Sequence, residues 1–126
     1  MTLPLLIVDA ANVVGSVPDG WWRDRAGAAT RLRDAIAPLA VRGLPDLPGP
    51  VEVVLVVEGA ARGVDQAPGV RVHAAPRSGD DAIVDLVREH AVERPVVVVA
   101  TADRQLQDRV GELGARIIGP RSLPYP

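Results

Sequence analysis

The sequence predicts an α/β fold, a Rossmann-like three-layer sandwich around a mainly parallel sheet of about five strands. Three observations carry this. Runs dominated by Val, Leu and Ile recur at residues 3–8, 51–57 and 96–100, and runs without polar alternation read as strands buried on both faces. Helix-length segments lie between strands, as parallel crossovers require. The runs also end on Asp9, Glu58 and Thr101-Ala102-Asp103. Parallel strands end at one edge, so these groups converge in space although distant in sequence.

The first strand covers 3–9. Residues 10–20, with Gly15, Pro18 and Gly20, read as a loop. A helix follows within 22–41, where Ala29, Leu32, Ile36 and Leu39 share a face and Pro38 blurs the end. Three prolines and two glycines in 43–50 mark a connector too short to be an interdomain linker, so 1–126 is expected to be one domain. The second strand is 51–57, a small-residue loop spans 59–69, and 70–73 is a short third strand. Ser78-Gly79-Asp80 opens a helix, with Ile83, Leu86, Val87 and Ala91 on one side. Four consecutive valines mark the next strand, 96–100. Asp103 opens a helix carrying Leu106, Val110 and Leu113, with Gly114 as C-cap, and 115–118 is a last short strand.

Composition narrows the function. With 48% hydrophobic residues and no Phe, 126 residues can bury an aliphatic core. The absence of Cys excludes disulfides, thiolate zinc and cysteine nucleophiles. All fourteen basic residues are Arg. A phosphate-binding P-loop needs its Lys, and the phosphoaspartate folds normally place a Lys beside their aspartate. The second acid of the phosphatase DxD motif is also missing, since Ala10 and Ala11 follow Asp9, and no GxGxxG follows the first strand. Net charge is −2. Setting aside Asp9, Glu58, Asp80, Asp81, Asp85 and Asp103 leaves fourteen arginines against ten acids, a basic remainder. Met1-Thr2-Leu3-Pro4 lacks the basic start of an export signal, and the run ending at Asp9 is too short to span a bilayer. The expectation is a cytoplasmic location, with no membrane.

A carboxylate cluster repels itself and costs stability; the usual reason to hold one together is a divalent cation. Asp9 ends the first strand with Asn12 three residues on. Alone it would read as an Asx cap; with three further strand-end acids it reads as functional. Asp81 and Asp85 share a helix face, and their repulsion needs a cation or an Arg to offset it. Asp80 also suits an N-cap and Asp85 a pair with Arg88, which leaves Asp81 as ligand or water-holder. Thr101 or Asp103 suits the N-cap of the following helix; Asp103 also reads as a metal ligand, and Thr101 as a candidate for substrate contact. Glu58 reads as a further ligand or as the partner of Arg62. Arg77 and Arg104, near the acids in sequence, are candidates for contact with a substrate backbone. Hard oxygens suit Mg2+ or Mn2+, and such an ion polarises a scissile phosphate and orients water. His73 and His90 read as structural. Trp21-Trp22 could stack on bases, but reads rather as one Trp covering the core edge and one partly exposed.

Ile7-Val8-Asp9-Ala10-Ala11-Asn12-Val13-Val14-Gly15, Val56-Val57-Glu58, Ser78-Gly79-Asp80-Asp81-Ala82-Ile83 and Val99-Ala100-Thr101-Ala102-Asp103 occur in this order. Together they resemble the NYN branch of the PIN-like nucleases, and most closely its small bacterial YacP-like members, over nearly the whole chain. The resemblance implies a five-stranded α/β fold and a Mg2+- or Mn2+-dependent endoribonuclease acting on RNA. Carried over, Asp9, Asp81 and Asp103 hold metal, Asn12 orients the first loop, and Asp80 or Asp85 supports, Asp80 being counted among the ligands. The chain departs from the pattern at Glu58, where relatives often have Asp. It also lacks the lysines and most of the C-terminal extension of longer members. Two other functions fit the same acids. One is a nucleotide or pyrophosphate phosphohydrolase; the other is a non-catalytic PIN-like module binding RNA, the ribosome or a protein, including a second copy in a homodimer.

Overall fold

The computed structural model describes residues 2–126; Met1, at the start of the amino-terminal stretch considered above, lies outside the described residues. In chain order the elements are β1 (Leu5–Asp9), α1 (Ala10–Gly15), α2 (Arg25–Ile36), α3 (Leu39–Arg42), β2 (Gly43–Leu44), β3 (Leu47–Pro48), β4 (Glu52–Val57), β5 (Arg71–Ala74), α4 (Gly79–His90), β6 (Val97–Ala100), α5 (Arg104–Gly111) and β7 (Arg116–Ile118). Five strands form one parallel sheet in the order β5-β4-β1-β6-β7. Strand alternation splits the core in two. Leu6, Val8, Leu55 and Val98 face α1 and α2, packing against Val13, Ala28, Leu32 and Ile36. Leu5, Ile7, Val54 and Val99 face the other way, against Ile83 and Val87 of α4 and Leu106 and Val110 of α5. The continuous apolar runs are thus the signature of a sheet covered on both faces, and the expected Rossmann-like three-layer sandwich is present.

Chain direction across the sheet reverses at β1. The chain moves from β1 to β4 and β5, then returns to place β6 and β7 on the opposite side. Open α/β sheets bind ligands outside the carboxyl ends of the strands at such a reversal. Asp9 and Thr101 stand at the ends of the two strands that flank it.

Two segments differ from the sequence expectation. Residues 10–15 form a helix rather than a loop, because the Asp9 side chain caps it at the Asn12 N–H while Val13 and Val14 are buried. The single helix expected within 22–41 is broken. A 3-10 turn covers Trp21–Arg23, Asp24 caps α2 by accepting from the Gly27 N–H at 2.9 Å, and Pro38, which lacks an N–H, separates α2 from α3. The proline-rich connector folds back as the β2–β3 ladder. Gly43 has φ +70° there, and any Cβ on it would strike the Leu47 carbonyl. Among the described residues no helix is long and apolar enough to cross a membrane.

Candidate active site

Asp9 is only 4% exposed. Its Oδ2 accepts from the Thr101 hydroxyl at 2.9 Å and its Oδ1 from the Asn12 N–H at 3.4 Å. A hydroxyl has one proton to give. Given to Asp9, it leaves the Thr101 oxygen free to accept from the Asp103 N–H at 3.1 Å. Thr101 is wholly buried, and its carbonyl accepts from Gln107 Nε2 at 2.8 Å. Asn12 makes the second tie across the reversal: its Oδ1 accepts from the Ala102 N–H at 2.8 Å. The end of β1 with the start of α1, and the loop after β6, are therefore locked together by one hydroxyl and one amide.

The remaining side of the site comes from β4 and α4. Ser78 caps α4, its Oγ accepting from the Asp81 N–H at 3.1 Å. The Gly79 N–H donates to Glu58 Oε2 at 3.1 Å. A Cβ on Gly79 would lie 3.0 Å from Glu58 Oε1, so the absence of a side chain is what lets this carboxylate sit against the helix start. Glu58 forms no ion pair with Arg62 among the described residues.

Burial pushes the Asp9 carboxyl up to about 6; its two hydrogen bonds lower it, and the charges of Asp80 and Glu58 raise it. Asp80 is also raised, first by burial and then by Asp103 and Glu58, with Arg109 opposing. Asp9, Glu58, Asp80 and Asp103 thus form one electrostatic neighbourhood. Asp103 also caps α5, accepting from the Leu106 N–H at 3.2 Å.

The other candidates point elsewhere. Asp81 turns outward to Arg109 at 3.0 Å, its side chain 65% exposed. Asp85 pairs with Arg88 at 3.3 Å, again in solvent. Arg77 is exposed and lines a separate cleft with Asp81, Asp85, Arg88 and Arg109. Arg104 is exposed at the first position of α5. Trp21 packs on the core while Trp22 is 55% exposed, in keeping with a structural reading of the pair. Two contributors, Gly79 and Gln107, carry only faint marks in the sequence: a Gly directly after a helix cap, and a Gln six residues beyond a buried Thr.

Among the described residues, no three Asp, Glu or His side chains come together as a finished ligand cage. The donor set still fits Mg2+ or Mn2+. Its oxygens are hard, magnesium needs only one or two direct carboxylates while keeping several waters, and a cation would offset the burial and, to a lesser extent, the like charges that raise Asp9 and Asp80.

A parallel α/β fold with a buried Asp and partly buried acids at its strand-end reversal defines the class, and the architecture is a YacP-like fold. Among solved structures the chain is similar to Rae1 (YacP) from Bacillus subtilis, with a TM-score of 0.71 and 21% identity over 94% of this chain and 70% of that one. The W164L mutant of the same protein gives 0.72 and 19%, over 95% of this chain and 72% of that one. At such identity the likeness establishes the fold. No protein-family model and no curated protein matches the sequence.

Proposed function

We propose that the protein is a Mg2+- or Mn2+-dependent endoribonuclease that hydrolyses RNA phosphodiester bonds at the β1–β6 reversal. The observation that carries this is Asp9, a buried carboxylate with its pKa raised to about 6, held among further acids with no Arg bonded to it. Strongly perturbed groups gathered in a crevice mark functional sites. The likeness in fold to Rae1 (YacP) lends support, since it falls on the branch that the sequence motifs resemble.

On this reading one or two of Asp9, Asp80 and Asp103 would hold the ion directly and the rest through its waters, and Asp81 would hold Arg109 instead. The chemistry such an ion supplies when bound is polarisation of the scissile phosphate and a more acidic water. Thr101 and the Asn12 N–H fix the rotation of the Asp9 carboxylate, and the Asn12–Ala102 tie keeps Asp103 in register with it. Asp80, its carboxyl raised first by burial and then by the neighbouring acids, stands half-buried beside Asp9.

Incubation of purified protein with labelled single-stranded RNA in Mn2+, Mg2+ or EDTA tests the reading. Cleavage should require metal and fall more than about 100-fold in Asp9→Asn, the scale seen when one charge-stabilising group is removed. Equal cleavage by the variant would overturn the mechanism. Phosphate released from free nucleotides, with RNA left intact, would select the phosphohydrolase instead.

A further inference from the structure

Beside the acids, on the α1–α2 side of the sheet, a cleft of about 300 Å3 opens with Ala11, Trp21, Arg25, Ala29, Glu58 and Gly59 among its lining residues. Glu58 is its link to the acid neighbourhood. Of its carboxylate oxygens, Oε2 takes the Gly79 N–H, and the structure gives Oε1 no protein donor. The Trp21 ring is held by core packing. The Arg25 guanidinium lies 5.4 Å from its centroid, and Trp22 meets it edge-on at 5.9 Å. Arg23 lies 5.8 Å from the Trp22 ring, so cations and aromatic rings interleave along this rim.

We propose that this cleft is a nucleobase subsite, taking one unpaired base of single-stranded RNA beside the bond to be cut; the inference rests on the ribonuclease reading. Small alanine and glycine residues in the lining leave room for a ring beside Trp21, and the volume is at the small end for ligand pockets. Trp21 and Arg25 offer two planar groups for stacking, the interaction that single-strand binders use on any base. Because Trp21 is already immobilised, little side-chain freedom is lost on binding. Glu58 adds selectivity. A carboxylate oxygen accepts from an exocyclic amino group, which adenine, cytosine and guanine carry and uracil lacks.

The test uses Trp22→Phe protein, in which Trp21 is the sole Trp, with EDTA present to prevent cleavage. It is titrated with an eight-nucleotide oligo-A, an oligo-U and an abasic ribose-phosphate chain of equal length. Oligo-A should quench Trp21 emission and bind about tenfold or more tighter than the abasic chain, within the range stacking supplies. Oligo-U should fall between them. Ala11→Leu, at an exposed position lining the cleft, should abolish the quenching and the preference for bases without moving the thermal unfolding midpoint. It should also raise KM for RNA cleavage more than it lowers kcat. Equal binding of oligo-A and the abasic chain, or unchanged quenching in Ala11→Leu, would overturn the subsite. If wild-type protein still cuts RNA with metal in that case, the ribonuclease reading stands and only the subsite falls. If no oligomer binds and no RNA is cut, both fall.

Discussion

The two edges of this sheet treat their acids in opposite ways. At the amino edge Glu52, which begins β4, meets Arg94 at 2.7 Å and Arg71 at 3.5 Å. Its charge is balanced within the protein, and Arg94 further donates to the Leu3 carbonyl at 3.0 Å. At the carboxyl edge Asp9 and Glu58 accept only from a hydroxyl and backbone N–H groups, although arginines are plentiful. The first edge resolves its electrostatics and the second keeps them unresolved. A carboxylate kept buried with no cationic partner and with like charges nearby costs stability, and it is in functional sites that such a cost is ordinarily kept.

The largest effect on folding that would break or sharpen this contrast is the pH dependence of stability. Asp9 has a folded pKa of about 6 against an ordinary 3.8, so between those values the folded state binds more protons than the unfolded one. Asp9 therefore costs nothing below about pH 4, where it is protonated in both states. Stability then drops as pH rises from about 4 to 6, by roughly 3 kcal/mol in full. Asp9→Asn should remove that slope. In EDTA the variant should gain stability relative to wild type on going from pH 4 to 7.5 in chemical denaturation. Loss of one Asp9 hydrogen bond in the variant reduces its net gain at pH 7.5 to about 1–2 kcal/mol. A difference that stays flat with pH would sink the account of Asp9.

Thr101→Val comes next. The replacement keeps the shape but strands the Asp9 carboxylate and the Asp103 N–H, and it should cost about 1–3 kcal/mol at pH 7.5. Less loss at pH 4 is expected, because a protonated Asp9 needs the hydroxyl less; thermal melts at the two pH values would check this. Asn12→Ala should cost about 1 kcal/mol and slow RNA cleavage about tenfold, the order seen when a supporting contact of a metal site is removed. Steady-state cleavage at saturating Mn2+ measures that loss, and unchanged rates would show that the two loops do not need their tie. Asp81→Asn is the smallest. The exposed Arg109 pair is worth under about 1 kcal/mol, and cleavage should change less than about threefold. A loss as large as that of Asp9→Asn would place Asp81 at the metal.

What can be read from the sequence follows from how local each cause is. The strands are legible because burial on both faces writes itself as an unbroken apolar run, as in 53–57 and 96–100. Asp9 is legible because it ends such a run. The choice between Asp80 and Asp81 is not. Adjacent helix residues point about 100° apart, and only the rotation of α4 on the sheet decides which one faces Asp9. Gly79 is hidden for a related reason: what crowds it is Glu58, which follows β4 and is 21 residues away in sequence. Helix α1 is masked by Gly15 and Pro18, since its stability comes from the Asp9 cap and the burial of Val13 and Val14 rather than from composition.

Mn2+ binding, followed by the loss of its free-ion electron paramagnetic resonance signal, tests the contrast between the edges most directly. Wild type and Glu52→Gln should bind the ion saturably and alike, while Asp9→Asn should bind at least about tenfold more weakly. Equal binding by all three proteins, or none by wild type, would contradict a cation site built on the unpaired acids of the carboxyl edge.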